Sequence, residues 1–192
     1  MDSSADAIRS WAEELDAFEP QAWDRMPEIY LYMDQVLSYM DKQLSLFDRS
    51  GEGMLTSSMI NNYVKAGVLP RPDRKKYARE HLAILTMICM LKSSLSIPDI
   101  SLLVSLLLET CGGKTEEGKQ GGEKEMYSRF CDAQKLAMEE VCDRLQERIP
   151  GGREELLRLA GELSIEAAMR RAAAERILGE LSRESSAEKQ EE

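Results

Sequence analysis

Strand-forming sequence is what this 192-residue chain has least of. Runs of β-branched residues are rare and aromatics make up only 6% of the chain. Leu, Met, Ala, Glu, Lys and Arg dominate instead, so its periodic segments read as helices. Long apolar runs are missing too. The longest, Leu82 to Leu91, is broken by Thr86 and is too short to span a bilayer, so no membrane segment is expected. The opening MDSSADAIRSWAEELDAF is acidic and amphipathic, unlike the basic-then-apolar pattern of a secretory leader. The four cysteines, Cys89, Cys111, Cys131 and Cys142, lack CxxC spacing and sit in helical, apolar contexts; reduced thiols in the cytoplasm are expected.

Sites for chemistry are equally scarce. His81 is the only histidine, no nucleophile or metal-ligand set is recognisable around it, and a structural or capping role is expected. Cys131 and Cys142 share a helix face but lie three turns apart, too far to chelate one ion, and read as soft core residues. Glu116-Glu117 and Glu139-Glu140 are adjacent acids, which diverge by about 100° on a helix and make poor catalytic pairs. Gly112-Gly113 and Gly121-Gly122 precede no strand–helix unit, so no phosphate loop is present. The expectation is a non-enzymatic protein without metal or cofactor.

What the chain does have is helical punctuation. Residues 4–18 form an amphipathic helix ended near Pro20, followed by an irregular piece to Pro27. From Tyr32 to Phe47 the apolar residues Met33, Val36, Leu37, Met40, Leu44 and Phe47 recur at three- and four-residue spacing. Asp48 to Gly53 makes a turn, and Thr56 is a good N-cap for the helix after it. Gly67 stands at that helix's C-terminal stop, and Pro70 and Pro72 forbid continuation. Residues 78–92 are apolar almost all round, the mark of a central buried helix. Ser96-Ile97-Pro98-Asp99 starts another, which runs through Leu108. The polar, glycine-rich segment 111–122 reads as a flexible linker. Two helices follow, 123–149 and 153–182, separated by Pro150-Gly151-Gly152, and residues 183–192 read as a charged, disordered tail. The domain scheme is thus an N-terminal arm over 1–31, a helical module over 32–110, the linker, a hairpin over 123–182 and the tail.

Charge is distributed unevenly along this layout. The formal net charge is -10, yet residues 54–79 hold six basic residues (Lys65, Arg71, Arg74, Lys75, Lys76, Arg79) against one acid, Asp73. Within the helix after Thr56, Met59, Ile60, Tyr63 and Val64 share one face. Ser58, Asn61, Asn62 and Lys65 occupy the other, with no carboxylate among them. A helix that lies against phosphates cannot carry acid on its contact face, whereas Asn can address adenine edges or phosphate oxygens. The free N–H groups of its first turn stay available to an anion, and the basic loop from Arg71 to Tyr77 is placed to follow the backbone. The alternative is a short capped helix with a neutral exposed face and an ordinary solvated loop.

The run TSSMINNYVKAGVLPRPDRKKYAREHLAILTMICMLKSSLSIPDISLL resembles the MerR-type winged helix-turn-helix. Tyr63, Gly67, Leu69, Pro70, Pro72, Tyr77, Leu82, Leu85, Ile88, Ser96, Ile97 and Ile100 stand at matching places. Asn61 and Asn62 stand where that pattern has Arg and Tyr. MINNYVK with a following KKY is most similar to a bacterial family of uncharacterised function that carries this MerR-like element. The resemblance spans roughly residues 30–108. It implies an all-α fold with a helix-turn-helix and short wing, a double-stranded DNA partner and a role in transcription regulation. On that reading Ser58, Asn61, Asn62 and Lys65 face the groove, Arg71, Arg74, Lys75 and Lys76 hold phosphates, and Ile60, Tyr63 and Leu85 fix the helix.

The C-terminal hairpin carries two apolar stripes, Met126, Phe130, Ala133, Ala137, Val141 and Leu145 on its first helix and Leu156, Ala160, Leu163, Ala167, Ala174, Ile177 and Leu181 on its second. They suit either mutual packing of the two helices or homodimerisation through residues 123–182. The acid excess outside residues 54–79 fits a rival function, a protein-interaction module that keeps the scaffold without binding DNA.

Overall fold

The structure, a computed structural model, describes residues 3–48, 51–111 and 122–191. They form seven α-helices: α1 (Ser3–Asp16), α2 (Met33–Leu44), α3 (Ser57–Lys65), α4 (Arg79–Leu91), α5 (Ile97–Cys111), α6 (Gly122–Arg148) and α7 (Gly152–Glu191). Short 3-10 turns lie at Trp23–Arg25, Ser45–Phe47 and Ile149–Gly151. Among the described residues there is no strand; extended pairing is limited to two isolated antiparallel bridges, Leu31 with Tyr77 and Asp73 with Lys76. The all-α expectation therefore holds. The glycine-rich segment of the sequence reading falls, over residues 112–121, outside the described residues. The helix expected over 32–47 tightens into its 3-10 turn after Leu44, and α7 carries on through Glu191 across the segment whose composition marks a tail.

Two compact units divide the chain differently from the sequence boundaries, one comprising residues 1–20 and 131–173, the other 21–130 and 174–192. The reason is where the apolar residues go. In the first unit Ala12 of α1 is buried with Leu145, Ile149 and Leu159, and Ile8, Val141, Leu156 and Leu163 pack around them. Helix α1 thus packs with the helices of residues 131–173, while residues 21–31 of the expected arm fall in the other unit. The α7 core face runs through Leu156, Leu159 and Leu163, while Ala160 and Ala167 of the expected stripe are exposed. A polar seam lies alongside: Arg144 reaches Glu166 at 2.7 Å and Glu162 at 3.2 Å, Arg148 reaches Glu155 at 2.7 Å, and Arg170 reaches Glu140 at 2.8 Å. Arg144 donates to Glu166 and holds its carboxyl below the ordinary glutamate range.

The second unit is built around α4. His81 to Cys89 are all buried, and α2 and α5 pack on that helix while α2 also meets α3. Val36, Met40 and Leu44 of α2, Ile60 and Tyr63 of α3, and Ile100 and Val104 of α5 complete the core. Burying a Leu or Ile side chain contributes roughly 1.5–3 kcal/mol, so a fully sheathed helix anchors everything packed on it. The first turns of α6 belong here as well. Met126 and Tyr127 are each 1% exposed, Tyr127 lies against Trp23 and Phe130, and Lys124 pairs with Asp24 at 2.7 Å. Ser96 starts α5 as expected, its hydroxyl donating to the Asp99 carboxylate while the Asp99 amide donates back at 3.3 Å.

Candidate nucleic-acid interface

Helix α3 is short, and local bonds define both of its ends. The Thr56 hydroxyl oxygen accepts from the Met59 amide at 3.2 Å, which satisfies one of the free donors of the first turn. At the other end the Val68 amide donates to Tyr63 O at 3.1 Å and the Gly67 amide to Val64 O at 3.2 Å. This double closure is a Schellman motif, and it requires the left-handed backbone that Gly67 adopts at φ +77°. Val68 and Leu69, both buried, follow, and Pro70 is exposed.

Between these stops the two faces separate cleanly. Ile60 is 0% exposed and Tyr63 is buried, with Met59 and Val64 half-buried beside them. Ser58, Asn61, Asn62 and Lys65 are all exposed, the first turn contains no acid, and Lys65 lies in the last turn. Leu85 is fully buried in α4. The four residues assigned from sequence to groove contact thus share the solvent face of one helix.

The segment after α3 is more ordered than the basic loop expected there. Arg74 and Lys75 both have positive φ, +48° and +65°, at the centre of a tight turn that the Lys76 amide closes on Asp73 O at 2.8 Å. Positive φ at both central residues is the signature of a type I′ hairpin turn, where Asn-Gly is the usual pair. Arg and Lys hold that backbone at a cost of about 1 kcal/mol each. Tyr77 follows, buried, and exchanges two backbone hydrogen bonds with Leu31, at 2.9 and 2.8 Å. Arg71, Arg74, Lys75 and Lys76 are exposed around this turn.

The sixth cation has another task. Arg79 donates to Met26 O at 3.1 Å, lies 3.4 Å from Glu28 and stands over the Trp23 ring at 5.8 Å. It binds the segment before α2 to α4, and the other five basic residues of 54–79 make up the exposed set.

His81 is structural in its geometry. Its Nδ1 accepts from the Ala78 amide at 3.1 Å, capping α4, and the ring meets Tyr77 edge-on at 5.5 Å. Burial holds its pKa below the ordinary imidazole value, against the pull of Glu80 and of the nearby backbone. All four cysteines are free thiols. Cys89 and Cys142 are buried, and burial pushes the Cys89 thiol up to about 12 and raises Cys142 as well, so neither is poised as a thiolate. Among the described residues no group of three or more His, Cys, Asp or Glu side chains could hold a metal ion, and no helix is long and apolar enough to cross a membrane.

One part of this surface was not singled out from the sequence. In the extended segment before α2, Leu31 is buried while Ile29, Tyr30 and Tyr32 are exposed at 70%, 61% and 52%. The Lys76 ammonium stands 5.7 Å from the centre of the Tyr32 ring. The alternation Tyr30-Leu31-Tyr32 is a strand-like signal, but three residues are too few to register as a strand.

No curated protein and no solved structure matches this chain. A family match spans residues 21–130, more than half of the sequence and the same limits as the long segment of the second compact unit. The chain therefore belongs to the DUF1836 family, a domain of unknown function.

Proposed function

We propose that this protein is a DNA-binding transcriptional regulator whose family domain uses a MerR-like winged helix-turn-helix. The observation that carries the reading is the acid-free, exposed face of α3 followed by a loop, residues 71–76, with four exposed cations against one acid, Asp73, in an otherwise acidic chain. In this reading α2 and α3 form the helix pair, α3 enters the major groove, and the Asp73–Lys76 turn serves as a wing reduced to a single bridge. Asn61 and Asn62 address base edges, with Ser58 and Lys65 beside them. Arg71, Arg74, Lys75 and Lys76 hold the phosphates that fix register. The buried Ile60, Tyr63 and Leu85 keep α3 in place. Five exposed cations at one site give weak, salt-sensitive affinity, which a homodimer contacting two half-sites would multiply.

Selection of bound sequences from a random duplex pool tests the proposal. At physiological salt the wild-type protein enriches a motif, Asn61→Ala with Asn62→Ala loses the motif but retains non-specific binding, and Lys75→Glu with Lys76→Glu loses both. A pool that stays unenriched with protein unbound would contradict it.

A second reading, a protein-interaction module on the same scaffold, draws on one observation. Leu136, Leu157, Ile165 and Met169 of α6 and α7 are 62–68% exposed. The same residues are where dimerisation through 123–182 would take place.

A further inference from the structure

We propose that Tyr30 and Tyr32 form a second nucleic-acid contact, a stacking platform for unpaired DNA bases at the edge of the basic turn. The proposal rests on the DNA-binding reading above and extends it from paired to locally unpaired DNA.

The two rings are presented by construction. Leu31 gives both of its backbone bonds to Tyr77 and buries its side chain, so an extended backbone throws Tyr30 and Tyr32 to the opposite, solvent side. They sit about 6.6 Å apart along the chain, two residues at strand rise. With Ile29 beside them, two tyrosines this exposed on one short segment make a patch of the kind that marks a contact surface. Neither is needed to hold the fold, because Leu31 and Tyr77 supply the buried contacts there.

Charge selects the partner. Lys76 follows directly on the turn that carries Arg74 and Lys75 and leans over the Tyr32 ring, so the aromatic patch and the cation cluster are one surface. Three exposed carboxylates lie along these segments, Glu28, Asp34 and Asp73, and Glu28 is 3.4 Å from Arg79; with Arg71, Arg74, Lys75 and Lys76 also exposed, cations still outnumber the acids left without Arg79. An apolar protein segment would cover the rings and leave three cations facing nothing. A nucleic acid meets both demands, with phosphates for the cations and base faces for the rings. In a paired duplex those faces are closed by their neighbours in the stack, so a ring reaches them at least cost where bases are unpaired.

The test uses the full chain and two labelled duplexes, one fully paired and one identical except for a central run of mismatches, titrated at the same low salt. The mismatched duplex is expected to bind about tenfold more tightly, the yield of one well-stacked base. Tyr30→Ala with Tyr32→Ala brings it to the affinity of the paired duplex and leaves paired-duplex binding, salt slope and unfolding midpoint unchanged. Tyr30→Phe with Tyr32→Phe keeps the preference, since stacking needs the ring and not the hydroxyl. Equal binding of the two duplexes by the wild type overturns the platform alone, as does loss of preference in the Phe variant or equal weakening of both duplexes in the Ala variant. Failure to bind either duplex overturns the DNA-binding reading as well.

Discussion

Leu31 and Tyr77 exchange both of their backbone hydrogen bonds, at 2.9 and 2.8 Å, and each buries its side chain. This one pair does the work of a sheet. It ties the residues just before α2 to the residues just before α4, and so fixes the basic turn between them relative to the core. Everything proposed for Arg74, Lys75, Lys76, Tyr30 and Tyr32 depends on that anchorage.

The turn itself sets stability against binding. Arg74 and Lys75 occupy left-handed backbone that Asn and Gly adopt far more readily. Arg74→Asn with Lys75→Gly should therefore raise unfolding stability by about 1–2 kcal/mol while weakening DNA binding through the loss of two cations. Chemical denaturation and DNA titration of the same variant read the two effects, and they are expected to move in opposite directions.

Gly67 makes the converse prediction. A Cβ there would meet no neighbouring atom within 4 Å, so space is not the constraint; the φ of +77° is. Gly67→Ala should cost about 1 kcal/mol by denaturant unfolding, from backbone strain alone. A neutral result would mean the Schellman closure of α3 is not held by its glycine.

His81 gives a pH dependence with a definite sign. Burial depresses its folded pKa below the unfolded value, near 6.5. The unfolded chain then binds the proton first, so His81's contribution is intact above about pH 6.5 and is lost as pH falls from there toward the folded value. His81→Gln keeps an acceptor for the Ala78 amide without titrating. Its unfolding free energy should drop less than the wild type's between pH 7 and pH 5.

Tyr39 carries a buried hydroxyl with no hydrogen-bond partner among the described residues, and burial pushes its pKa up to about 12. Tyr39→Phe removes a polar group that folding strips of water, and is expected to stabilise the protein by up to about 1 kcal/mol in thermal or denaturant melts.

Much of this was written in local sequence because local bonds decide it. The Thr56 cap, the Gly67 stop, the Ser96 cap and the continuous burial of α4 each depend on a few neighbouring side chains, and each appears where the residues point. The solvent face of α3 followed from 3.6-residue periodicity alone. What periodicity could not show is pairing across distance. Ala12 and Ile8 joining Leu145 and Leu159 brings α1 into the unit of residues 131–173, and no local pattern announces that contact. Arg79 looked like one more cation of the basic segment until its bonds to Met26 and its stacking on Trp23 withdrew it. Tyr30 and Tyr32 were hidden because a single bridge leaves almost no periodicity to read.

The central claim, that α3 and the basic turn engage DNA, is tested most directly by a salt series of binding to random duplex DNA. If Lys65, Arg71, Arg74, Lys75 and Lys76 each neutralise a phosphate, the logarithm of affinity should fall against the logarithm of salt with a slope of about -4.5. Lys75→Glu with Lys76→Glu should make that slope shallower by at least about 2 and remove measurable binding at physiological salt. Binding that is absent at low salt, or unchanged by salt and by these substitutions, would contradict the account.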